Sequence, residues 1–394
     1  MSNAQDPVDL LEKTYGSGGE VCQIMVPGRV NLIGEHIDYH GLAVLPMALP
    51  RSIRVAFRAR SDGQIRAVSG DGYGERCFEW KPELAAVAAG DWENYLRAAA
   101  QAVSGKWGVG CGVDAAVVSD LPPAAGLSSS SALLVAFTLG LLWANKREAT
   151  FQQLMEVLPE GEYFVGTRGG AMDHAACLGS REGYASLIEF VPLSLRTIPI
   201  PDNWRFLVAH SLTTAEKSGP VREQYNQRRT GGSRALERVG LASYREVIAG
   251  RTLGEIEQMA AGSLTSEVER DAFLHTASEA LRVRLAITAM EQENAQEFGR
   301  LLHESHRSLR DELRVSCAAL DRLVEAAMES GALGARLTGA GFGGCAVVFS
   351  LKDDLPKVRA GLVSRFYAGR KEFVEDTHLI ETAPGPGALQ ALGR

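Results

Sequence analysis

The chain is poor in the features that mark several large classes of protein. It has six cysteines in 394 residues, Cys22, Cys77, Cys111, Cys177, Cys317 and Cys345, and no two form a Cys-x-x-Cys pair. That scatter argues against a disulfide-stapled fold and a zinc site, and makes reduced thiols in a cytoplasmic protein the expectation. Long apolar runs are also lacking: the longest, Ala132 to Ala144, falls short of the roughly 20 residues a membrane-spanning helix needs. Met1 to Asp9 are polar and hold no signal-peptide core. Positive charge is not in excess, with 41 Lys+Arg against 48 Asp+Glu and a net charge of −7. Neither nucleic acid nor membrane is therefore an expected partner, and an anionic ligand needs cations gathered at a local site. Repeats and low-complexity tethers are absent.

What is present describes a globular chain, 45% hydrophobic and 23% charged, long enough for two domains with their own cores. A change from strand-rich to helix-rich patterning near residue 200 divides it into residues 1–200 and 201–394, in close contact because no flexible tether separates them.

The stretch from Leu121 to Ala132, Leu-Pro-Pro-Ala-Ala-Gly-Leu-Ser-Ser-Ser-Ser-Ala, organises the rest. It leaves an apolar strand, Val113 to Val118, and enters a helix, Leu133 to Trp143. Two prolines end the strand, Gly126 allows a positive φ or a close approach, and four serines stand at the helix mouth, where unpaired N–H groups gather. Such a mouth cradles a polyphosphate; the plainer alternative is a turn with a serine N-cap. Earlier, Pro27-Gly28-Arg29-Val30-Asn31-Leu32-Ile33-Gly34-Glu35-His36-Ile37-Asp38-Tyr39 mixes charged and apolar residues after a short strand, Val21 to Val26. Charges among such neighbours are paired with each other or face a polar ligand in a cleft. Asp173, past Gly169-Gly170 on the first turn of a helix, is either a charge complementing the helix dipole or a catalytic base.

Further strands are expected at Leu42–Leu49, Ile53–Arg60, Gln64–Ser69, Tyr184–Phe190, Trp204–His210, Ala332–Thr338, Cys345–Ser350 and Phe373–Ile380. Helices are expected near Leu10–Lys13 and at Trp92–Trp107, Phe151–Val157, Val221–Val239, Ser266–Glu293, Ala295–Leu313, Cys317–Ser330 and Asp354–Tyr367. A glycine-dense turn, Gly339-Ala340-Gly341-Phe342-Gly343-Gly344, joins two of the strands.

Three of these segments in this order resemble the GHMP small-molecule kinases, and among them the galactokinase family. Pro27 to Tyr39 is similar to the galactokinase signature, Gly126-Leu-Ser-Ser-Ser130 to the phosphate loop, and Thr338-Gly-Ala-Gly341-Phe-Gly343-Gly344-Cys to the third motif. Three ordered motifs are far more specific than one glycine loop. The resemblance implies an α+β, two-domain fold of mixed sheets and packed helices with the site between the domains. It implies a monomeric ATP-dependent sugar 1-kinase using Mg²⁺, with ATP over Gly126, Leu127, Ser128, Ser129, Ser130 and Ser131. Ser130 and Glu162 are the implied metal ligands, Asp173 and Arg29 the catalytic pair, and Glu35, His36, Asp38, Gly170 and Tyr225 the sugar contacts. The glycines 339, 341, 343 and 344 bring the second half of the chain close to the ligands. Galactose is placed first, with N-acetylgalactosamine next because segments 36–39, 122–131 and 166–173 are similar to the amino-sugar branch. A non-catalytic sugar and ATP sensor and a kinase of mevalonate or homoserine remain as other readings. Retention of Arg29, Ser130 and Asp173 speaks against the first, and the Glu35-His36-x-Asp38 cluster against the second.

Overall fold

A computed structural model describes residues 5–122, 125–164, 171–214 and 220–393. Its first half is built on a five-stranded sheet of β1 (Val21–Ile33), β2 (Leu45–Ala59), β3 (Gln64–Ser69), β4 (Glu75–Glu79) and β5 (Val113–Ser119). The spatial order is β1-β2-β5-β3-β4, with β3 and β5 parallel and the other pairs antiparallel. A hairpin follows, β6 (Tyr184–Phe190) with β7 (Leu193–Pro199). The second half holds an antiparallel sheet of β8 (Trp204–His210), β9 (Gly334–Leu337), β10 (Cys345–Leu351) and β11 (Leu379–Thr382), in the order β11-β8-β10-β9.

The helices of the first half are α1 (Pro7–Tyr15), α2 (Glu93–Trp107), α3 (Ser129–Ala144), α4 (Phe151–Phe164) and α5 (Met172–Gly179). Every residue of α3 from Ser131 to Leu142 is buried, as its apolar residues on all sides require. It lies against β1 and β2 with α2 beside it. Phe57 packs edge-on to Phe137 at 5.2 Å, and its ring fills the space over Gly140, where a Cβ would come within 2.5 Å. The second half carries α6 (Pro220–Val239), α7 (Tyr244–Val247), α8 (Leu253–Ser263), α9 (Glu267–Glu291), α10 (Ala295–Asp311) and α11 (Ala318–Glu329). Trp204, Phe298 and Phe349 stack where α10 meets the second sheet, with centroids 4.7–5.1 Å apart.

Several elements differ from the sequence expectation for physical reasons. The signature does not leave the strand at Pro27: β1 continues to Ile33, with register shifts at Pro27/Arg29 and Asn31/Ile33. As the sheet's edge strand it tolerates a proline at a bulge. The two strands expected over residues 42–60 are one, β2, which pairs with β1 from Leu45 to Arg58 while β5 takes only Ile53–Ala59. Strands β4 and β7 were not expected; they are the hairpin partners of β3 and β6. Helix α4 runs through Pro159 to Phe164, packed on α2 and α5, so it takes in Glu162. The strand expected over Phe373–Ile380 is a helical turn, α13 (Glu375–His378) after α12 (Leu355–Leu362), and only then β11. The tail returns to the first half, where Gly385 N donates to Ala48 O (2.9 Å) and Gly387 N to Ser180 O (2.8 Å) ahead of α14 (Ala388–Ala391).

Candidate active site

The loop before α3 and strand β1 are joined by one arginine. Arg29 is buried on β1; its Nη1 donates to Gly126 O (2.7 Å) and its backbone N to Leu127 O (3.2 Å). Its Nε donates to Asp173 Oδ1 at 2.7 Å, with Nη2 also 2.7 Å from the same oxygen. Burial opposes the arginine's charge, but the carboxylates of Asp173 and Glu35 outweigh it and raise its pKa. Asp173 stands in the first turn of α5, where the helix dipole favours a carboxylate. A carboxylate and a fixed guanidinium thus meet beside the loop that precedes α3.

That loop is not a serine N-cap. Ser128 takes the left-handed conformation (φ 60°) and makes no side-chain capping bond. Its buried Oγ has no hydrogen-bond partner among the described residues. The start of a helix is where backbone N–H groups lack partners within the helix and an anion is favoured. Gly126 (φ 77°) faces the third motif: a Cβ there would sit 3.3 Å from Thr338 O, and one on Gly339 3.0 Å from Gly126 O. Gly341 (φ 79°) passes so close to Val315 that a Cβ would lie 2.1 Å from its carbonyl oxygen. Only glycine fits that approach.

The sugar signature is folded as a turn held from beneath. Arg336, fully buried on β9, donates from Nη1 to Asn31 O and Leu32 O (both 2.8 Å) and from Nη2 to Glu35 Oε2. Burial raises the pKa of Glu35 against the pull of Arg336 and Arg29. His36 (φ 61°) places Nε2 3.2 Å from Ala340 O and Nδ1 3.1 Å from the Tyr39 hydroxyl. Burial, then the neighbouring His275, lowers its pKa to about 3, so the ring is neutral. Asp38 begins a short 3₁₀ turn (Asp38–His40). Burial first, then the charge of Asp173, raises its pKa to about 7, against hydrogen bonds from the backbone of Tyr39 and Met172.

Three family models match the chain in order: the galactokinase galactose-binding signature over residues 10–59, the GHMP kinases N-terminal domain over 94–181 and the GHMP kinases C-terminal model over 286–369. A galactokinase of Roseiflexus sp. (strain RS-1) is 33% identical over 359 residues, 91% of this chain and 90% of that protein. One of Streptomyces coelicolor is 32% identical over 366 residues, 92% of each. The chain belongs to the galactokinase family.

As a member of that family it is a kinase, a phosphotransferase with ATP as co-substrate. Its fold is the GHMP kinase fold. The galactokinase of Lactococcus lactis, solved in complex with galactose, superposes with a TM-score of 0.87 over 96% of this chain and 97% of that one, at 24% identity. A mevalonate kinase of Methanococcus jannaschii superposes with a TM-score of 0.65 over 93% and 99% at 17% identity.

The structure brings Arg29, Asp173, Gly126, Leu127 and Gly339 together, with Asp38 and Glu35 bearing electrostatically on the same pair. Gly343 and Gly344 sit one step away; Gly344 N donates to Thr213 O (2.8 Å). Gly170 and the side chains of Glu162 and Tyr225 lie outside the described residues. The serine run differs from expectation in one respect: Ser131 is fully buried inside α3, while Ser129 and Ser130 are partly exposed at its start. Sequence reasoning missed Arg336, Glu279 and His275, which hold the signature turn. The available signal was a lone arginine in the otherwise apolar strand β9, because a charge in a buried strand needs a partner.

Proposed function

We propose that this protein transfers the γ-phosphate of ATP to the anomeric hydroxyl of galactose, and the observation that carries the reading is the Arg29–Asp173 pair beside the uncapped mouth of α3. The polyphosphate lies over Gly126 to Ser131, taken by N–H groups and small hydroxyls. Asp173 accepts the proton of the sugar's C1 hydroxyl as its oxygen bonds to the γ-phosphorus and the bond to the ADP oxygen breaks. Arg29 fixes the carboxylate and offsets charge on the transferring group. Asp38 and the Glu35 carboxylate take sugar hydroxyls, Gly170 and Tyr225 are further sugar-binding residues, and His36 orients the turn through its two ring contacts.

A divalent cation fits the donor set, because a serine hydroxyl and a carboxylate are hard oxygen ligands of the kind Mg²⁺ takes. Ser130 and Glu162 would hold it, and its charge would neutralise the β- and γ-phosphates. Residues 1–200 supply the signature, the phosphate loop and the base, residues 201–394 supply the third motif, and the enzyme works as a cytoplasmic monomer.

The test is ADP release from Mg-ATP with a panel of free sugars. Release with galactose, with phosphate on C1, is the expected result. ATP binding without turnover on any galacto-configured sugar would favour a sensor. A kcat/KM for N-acetylgalactosamine tenfold above that for galactose, about 1.4 kcal/mol, would reassign the substrate.

A further inference from the structure

We propose that Glu279 and His275, one turn apart on α9, are positioning residues that clamp the backbone of the sugar-binding turn and so place the Glu35 carboxylate and Asp38. Gly34 (φ 100°) and His36 (φ 61°) flank Glu35 in left-handed backbone conformations, and such a turn persists only where its surroundings hold it. Glu279, fully buried, accepts from Gly34 N (2.9 Å) and Glu35 N (3.3 Å) through Oε1. Ser305 Oγ (2.7 Å) donates to the same oxygen, and Arg282 Nε (2.7 Å) to Oε2. Burial opposes its charge, but Arg282, His275 and Arg336 outweigh it and lower its pKa to about 2, so it is an anion facing two amides. His275, also fully buried, sets Nε2 3.0 Å from Glu35 O and Nδ1 2.8 Å from Ser308 Oγ. An Nε2 facing a carbonyl oxygen donates to it.

Positions 275 and 279 share a helix face, and Val283 continues it: a Cβ on Gly34 would meet its Cγ2 at 3.0 Å. Glu35 is thereby held at its N–H by Glu279, at its carbonyl by His275 and at its carboxylate by Arg336. Among the described residues, the hydrogen bonds of Glu279 outside α9 and its neighbour α10 go to this turn. A carboxylate serving the core alone has no reason to select those amides.

The proposal rests on the reading that this turn meets the sugar, and the experiment separates the two. Full-length wild type, Glu279→Ala and Glu279→Gln are compared by hydrogen–deuterium exchange over peptides covering Gly34 and Glu35, and by KM for galactose and for ATP. Exchange there should quicken at least tenfold in Glu279→Ala. Its galactose KM should rise about tenfold or more while its ATP KM stays within twofold. Glu279→Gln keeps one acceptor oxygen and should fall between; if the alanine variant does not fold, it carries the test. Unchanged exchange at Gly34 and Glu35, or equal rises in both KM values, would overturn the clamp. Wild type without galactose turnover would sink the substrate reading instead, and the exchange comparison would still decide the clamp.

Discussion

Two aspartates of the site face opposite electrostatics, and each gives a prediction. Asp173 receives two N–H groups of Arg29 on one oxygen. Asp173→Asn keeps the shape and removes the charge that accepts a proton, so kcat should fall by at least about a hundredfold with both KM values little changed. Near-normal turnover would make Asp173 structural and leave Arg29 as the main catalytic group. Asp38 is different: burial and the charge of Asp173 raise its pKa from 3.8 to about 7. The folded protein thus holds the proton more tightly than the unfolded chain. Ionisation of Asp38 costs stability increasingly as pH rises from about 4 to 7, and the cost is constant above that window. The charged form is the better acceptor for sugar hydroxyls, so the galactose KM should fall as pH rises through about 7. Asp38→Asn should flatten that step; a profile unchanged by the substitution would assign the titration to another group.

At the scale of elements, α3 is a rigid rod with an open end. It is buried along its length against β1 and β2, so the N–H groups at its mouth are held in place by the core, and under the proposed function that lowers the entropic cost of binding the phosphates. The loop reaches that mouth through a left-handed Gly126 next to the carbonyl of Thr338. Gly126→Ala places a Cβ in that conformation, at about 1–2 kcal/mol, and presses the third motif. We expect a lower urea midpoint and an ATP KM that rises more than the galactose KM. Equal rises would mean that the loop serves both ligands alike.

At the scale of the whole molecule, the two sheets are stitched together at the site. Strand β1 of the first sheet and β9 of the second meet through Arg336, and Asn31 N also donates across this seam to Thr338 Oγ1 (3.2 Å). Truncating one member of a buried ion pair leaves the other charge uncompensated, at about 3–5 kcal/mol. Arg336→Met should lose about that much in urea denaturation and reduce turnover with it. Adding Glu35→Gln should recover part of the stability but not the activity. A double variant no more stable than Arg336→Met would show that the carbonyl contacts at Asn31 and Leu32, rather than Glu35, carry the arginine's contribution.

The sequence by itself determined what depends on neighbours along the chain. The serine-flanked start of α3, the strand β5 before it, Asp173 at the start of α5 and the glycine turn after β9 were all legible, because local conformation and motif order specify them. So was the family, which three motifs of fixed residue types and order identify. Tertiary structure decided the rest. That β1 runs through Pro27 to Ile33 follows from its place at a sheet edge, and β4 and β7 exist because a partner strand completes their hydrogen bonds. The clamp on Glu35 joins residues separated by 240 to 301 positions. Such contacts leave no periodic trace in the sequence, since a buried histidine, glutamate or arginine declares its partner only when the chain has folded around it.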